Sequence, residues 1–68
     1  MSHTFTAQVT GMTCGHCVAS VTEEISEIPG VTAVDVTLET GAVVVTSDEP
    51  LDVDAVRAAV DEAGYQLA

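Results

Sequence analysis

Sixty-eight residues, 47% of them hydrophobic but only 3% aromatic, predict one small globular domain over residues 1–68 with an aliphatic core. Eleven carboxylates stand against a single cation, Arg57, for a formal charge of −10, which argues against nucleic-acid binding by phosphate neutralisation and against anionic membrane surfaces. No stretch approaches the roughly 18 apolar residues of a membrane span, and the opening MSHTFTAQVTGM lacks the basic start and apolar run of an export signal, so a cytoplasmic protein without direct membrane insertion is expected.

Residues 4–10, TFTAQVT, alternate: Phe5, Ala7 and Val9 share one side, with Thr6 and Gln8 on the other, which predicts a half-buried strand. Gly11 breaks the alternation, and GMTCGHC leads as a loop into a helix. There Val18, Val21, Ile25 and Ile28 recur at steps of three, four and three, with Glu23, Glu24 and Glu27 on the solvent side. Pro29 disfavours helix at Ile28 and Gly30 suits a cap, so the helix is expected to run to that point. A second strand turns Val34, Val36 and Leu38 inward and Asp35, Thr37 and Glu39 outward. Thr40 and Gly41 make a turn into a third strand carrying Val43 and Val45, and 47–50 reads as polar loop. Asp52 or Asp54 caps a second helix with the stripe Val53, Val56, Val60 and Ala63. Gly64 ends it, leaving 65–68 for one short last strand.

This order, βαββαβ, is the split-βαβ or ferredoxin-like pattern of the α+β class. Right-handed crossovers put both helices on one face of a four-stranded antiparallel sheet. The last strand then starts beside the end of the first, so Tyr65 should sit next to the GMTCGHC loop, with the hairpin tip at the same end. His3 lies at the other end of the first strand, roughly 20 Å away at about 3.3 Å per residue. No site is expected to hold both His3 and Cys14.

The two cysteines, Cys14 and Cys17, are three apart. A structural disulfide between them would close a tiny loop and constrain little of the unfolded chain. With Cys17 in or near a first helical turn, unpaired N–H groups and the positive dipole end favour thiolates. Paired thiolates bind soft metals: monovalent copper, zinc or iron–sulfur clusters. A cluster wants four cysteines, and structural zinc wants four ligands; Cys14, Cys17 and at most His16 leave both short. Copper(I), with a filled d shell and a tolerance for two thiolates, fits the inventory best. Thiol redox chemistry is the rival, because Cys-x-x-Cys between strand and helix also describes thioredoxin-like proteins. Against it stand the short chain, the Gly15-His16 pair between the cysteines, and the positions of Pro29 and Pro50.

The run Gly11-Met12-Thr13-Cys14-Gly15-His16-Cys17, the Val/Ile stripe, Pro29-Gly30-Val31, Val34/Val36/Leu38, Val43/Val45 and Gly64-Tyr65 together resemble the heavy-metal-associated domain over nearly the whole chain. Within that group the chain looks most like small bacterial cytoplasmic copper chaperones. The resemblance implies that Cys14 and Cys17 bind copper(I) and pass it by ligand exchange to a similar site on a copper-transporting P-type ATPase, with Cys14 entering and leaving first. It implies a carrier, not an enzyme, and leaves open a homodimer bridged by copper. Met12 is expected to be a buried pin beneath the loop rather than a thioether ligand. His16, one helical step before Cys17, should diverge from the sulfur pair and tune it or act in a dimer. Tyr65 is expected to pack in the core or shield the loop. Thr13 stands where zinc-handling relatives often carry an acidic residue, and mercury-handling relatives are typically exported; both differences favour copper. The alternatives kept are a metal-binding module of a transporter, a carrier of zinc or another soft metal, and a thiol redox protein.

Overall fold

The structure is a computed structural model that describes residues 2–13 and 15–68; Met1 and Cys14 lie outside the described residues. The chain runs β1 (His3–Thr10), α1 (Gly15–Ser26), β2 (Val31–Thr37), β3 (Ala42–Ser47), α2 (Val53–Glu62) and β4 (Gln66–Leu67). The strands form one sheet in the order β2-β3-β1-β4, with every pair antiparallel. This is the expected ferredoxin-like architecture. The two helices pack together and share one core with the sheet: Val21 and Ile25 of α1, Val56 and Val60 of α2, and Val43 and Val45 of β3 are all fully buried. The alternation in β1 works as its sequence predicts, with Phe5, Ala7 and Val9 turned inward and Thr4, Thr6 and Gln8 exposed. With so few aromatics, β-branched side chains fill the space between the layers, where their stiff χ1 angles lose little entropy on packing.

Four details differ from the sequence reading. Helix α1 ends at Ser26, because the last turn tightens into i→i−3 bonds: the N–H of Glu27 reaches Glu24 O at 3.3 Å and that of Ile28 reaches Ile25 O at 3.0 Å. Ile28 still packs on the core. Strand β2 stops at Thr37, so Leu38 enters the turn and is 38% exposed instead of pointing inward. In α2 the buried positions are Val56, Ala59 and Val60, whereas Val53 is 42% exposed. Helical side chains lean toward the N-terminus, so one at the first position hangs past the end of its helix. Ser47 belongs to β3 and is buried, its hydroxyl donating to Glu49 O. Of the two candidate caps, Asp52 holds the position, accepting the N–H of Asp54 at 3.0 Å.

The register fixes which residues meet at the cysteine end. His3 faces Ser47, whereas at the other end of β1 Val9 faces Leu67 and Thr10 faces Gln66. The β2–β3 turn comes to the same end, where Gly41 O accepts the N–H of Val9 at 2.8 Å.

Candidate metal centre

Cys17 is the third residue of α1 and is 6% exposed. It continues the buried face of Val21 and Ile25, each one helical turn further on, so the seating of α1 on the sheet fixes where its sulfur lies. The N–H of Thr13 donates to Cys17 Sγ at 3.5 Å, and the Thr13 hydroxyl lies 3.9 Å from the same sulfur. The first turn of α1 carries no acidic residue. An N–H aimed at the sulfur, a helix N-terminus and no carboxylate within that turn form a setting suited to a sulfur that carries negative charge.

Three of the other singled-out residues surround this end. Met12 is partly buried and packs against the core. Gly11 adopts φ +92°, and a Cβ placed there would come 3.4 Å from Tyr65 Cδ1, so the tyrosine ring lies against the entry to the loop. Tyr65 is itself half-buried and packs on the core. His16 is exposed, whereas its neighbour Cys17 is buried. Cys14, the expected partner sulfur, lies outside the described residues. Among the described residues no group of three or more His, Cys, Asp or Glu is placed to hold an ion. His3 is exposed at the opposite end of β1.

Carboxylates gather between the helices. A shallow depression of about 300 Å³ between α1 and α2 is lined by Ser20, Glu23, Glu24, Glu62 and Ala63. A side-chain hydrogen bond with Glu27, helped by partial burial and by repulsion from Glu27, Glu62 and Glu23, raises the Glu24 carboxyl above its ordinary value. The only Arg, Arg57, pairs with Asp54 on its own helix at 2.8 Å.

Two features escaped the sequence reading. Thr13, which the sequence marks only by the acidic residue it lacks, lies with its N–H and hydroxyl against the Cys17 sulfur. Gly41 and Gln8, by pattern a turn residue and an outward strand residue, meet across β1 and the β2–β3 turn. A Thr just before a Cys-x-x-Cys could have signalled the first of these. The second needs the strand register, which no local pattern supplies.

The sequence pattern of the heavy-metal-associated domain matches residues 6–66. The chain belongs to the heavy-metal-associated domain family. That membership puts it among metal-binding carriers, not enzymes. It is 42% identical over 64 residues to the copper chaperone CopZ of Bacillus subtilis, covering 93% of each chain. It is 45% identical over 65 residues to the periplasmic component of a mercuric transport protein from Pseudomonas aeruginosa, covering 94% of this chain and 71% of that one. Among solved structures it superposes on a CopZ metallochaperone with a TM-score of 0.90 at 36% identity, over 97% of this chain and 100% of the other. A copper binding domain from a P-type ATPase superposes with a TM-score of 0.86 at 27% identity, over 100% of this chain and 92% of that one. No helix among the described residues is long and apolar enough to cross a membrane.

Proposed function

We propose that this chain is a metal chaperone that carries copper as copper(I) between Cys14 and Cys17 and hands it to the metal-binding domain of a copper-transporting P-type ATPase. The observation that carries the reading is Cys17: a buried sulfur at the start of α1 with the Thr13 N–H 3.5 Å away, in a chain similar in fold and sequence to copper chaperones. Cys14 supplies the second sulfur by its spacing. Two soft thiolates suit a soft monovalent ion, and copper here is cargo, so nothing in the chain need change when it leaves.

Transfer follows from exchange of sulfur ligands. A thiolate of the acceptor bonds to copper, the bond to Cys14 breaks, a second acceptor thiolate bonds, and the bond to Cys17 breaks last. Copper stays monovalent and no electron moves. Buried Cys17 is the anchoring sulfur and Cys14 the one that exchanges first. Met12 supports the loop from below, Tyr65 covers its entry, and exposed His16 stands outside the ligand set. The likeness to an ATPase copper-binding domain supports a handover between two copies of one fold. The reading places the protein in the cytoplasm. A copper-bridged homodimer would use the same ligands, but two chains of charge −10 repel, so salt must screen them first.

The mercuric relative favours a second reading, since mercury is also soft and also suits two sulfurs. An anaerobic titration of the reduced chain against a chromophoric copper(I) chelator tests the first reading, with zinc as competitor and the Cys14→Ser, Cys17→Ser double variant as control. One tightly held copper per chain, lost in the double variant, retained against zinc and delivered to an ATPase metal-binding domain, is the expected result. Binding that survives loss of both cysteines, or copper that zinc displaces, overturns it. Failure to deliver copper, with tight retention of mercury, would favour the mercuric reading.

A further inference from the structure

We infer that the β2–β3 turn positions the cysteine loop, with Gly41 as its positioning residue; the inference rests on the copper-carrier reading of that loop. Strand β1 runs into the loop through Val9 and Thr10. One side of this stretch is held by β4, where Val9 faces Leu67 and Thr10 faces Gln66. The other side is held by the turn. The N–H of Val9 donates to Gly41 O at 2.8 Å, and the Gln8 side-chain amide donates to Thr40 O. The turn is itself closed by the N–H of Gly41 on Thr37 O at 2.8 Å and the N–H of Ala42 on the Thr40 hydroxyl at 3.3 Å.

Gly41 has no room for a side chain. It is buried at φ +75°, and a Cβ there would collide with Val9 O and lie 2.9 Å from Gln8 Nε2. The clash is with a main-chain oxygen and not with the end of a flexible side chain, so backbone must move to admit it. The stretch between Val9 and the sulfur is held at three points: Gly11 lies beside the Tyr65 ring, Met12 is packed on the core, and the Thr13 N–H reaches Cys17 Sγ. A displacement at Val9 is therefore passed along to the donor that faces the sulfur.

The test compares Gly41→Ala and Gln8→Ala with Val31→Ala. Val31 packs on the same core but pairs with Ser47 at the far end of the sheet. Amide chemical shifts of the reduced, copper-free chain read the loop directly. The inference predicts that Gly41→Ala and Gln8→Ala displace the amides of residues 11–17, whereas Val31→Ala leaves them in place even where it lowers Tm as much. Copper(I) affinity against the chelator should fall about tenfold in Gly41→Ala, the low end of the range for residues supporting a metal ligand, and stay within about twofold in Val31→Ala. If Gly41→Ala does not fold, Gln8→Ala, an exposed position, decides alone. Unmoved loop amides in the folded turn variants, or equal shifts in Val31→Ala, overturn the inference. A wild-type chain that binds no copper through its thiols overturns the carrier reading instead, and the amide shifts still decide the positioning.

Discussion

Ile25 gives the most direct measure of how firmly the metal end is held. It is fully buried on α1, two helical turns from Cys17 on the same face, so a weakened seat there loosens the helix that carries the anchoring sulfur. Ile25→Ala removes three carbons, worth about 2.4 kcal/mol in transfer free energy at about 0.8 kcal/mol each. The cavity left behind brings the expected loss to about 3–4 kcal/mol, within the range for such truncations. A chain of 68 residues is stable by roughly 3–10 kcal/mol. The substitution therefore removes roughly 30% or more of that, whereas Ile25→Val should cost only about 1 kcal/mol. Urea unfolding of the reduced, copper-free chain, followed by far-UV circular dichroism, measures both differences at unchanged m. Free copper(I) at about 100 times its Kd should restore about 2.7 kcal/mol. A loss below about 1 kcal/mol for Ile25→Ala would refute the packing of α1 described above.

Met12→Leu conserves volume and should lower stability by less than about 1.5 kcal/mol, with copper affinity unchanged in the chelator assay; a large loss of affinity would make the thioether a ligand. Asp52→Ala removes the cap of α2 and should cost about 1 kcal/mol in urea unfolding, with Asp52→Asn nearly neutral. The raised Glu24 carboxyl gives a sign that pH can test. Its folded form holds a proton more tightly than its unfolded form, so its contribution is fully present below the ordinary carboxylate value and is lost as pH rises through the raised one. At neutral pH Glu24→Gln should therefore raise Tm, and the gain should vanish in acid; a variant with lower Tm at neutral pH would contradict this. Added salt should raise the wild-type Tm more than that of Glu24→Gln, because the unpaired carboxylates on α1 and α2 repel one another.

The sequence carried the fold because each element announced itself at its own period: alternation from Phe5 to Val9, three-four steps from Val21 to Ile28, and Gly41 between two Val-rich strands. It carried the neighbourhood of Tyr65 as well, since the βαββαβ order alone sets the last strand beside the end of the first. It failed where a residue type spoke for one state and its position for another. Ser47 reads as loop, yet its hydroxyl finds an acceptor in Glu49 O and can be buried. Leu38 and Val53 read as core, but one falls in a turn and the other at a helix start, where no layer covers them. At the metal end, the cysteine spacing pointed to the ligands, but the contact of Thr13 with Cys17 and the close approach of Gly41 to Val9 depend on tertiary packing.

X-ray absorption at the copper edge of the copper-loaded, reduced chain tests the central claim most directly, because it reads the oxidation state and the ligand atoms together. The account predicts monovalent copper with two sulfur neighbours, unchanged in Met12→Leu and His16→Ala and lost in the Cys14→Ser, Cys17→Ser variant. A nitrogen neighbour that disappears with His16, a third sulfur that disappears with Met12, or divalent copper held by oxygen would contradict it.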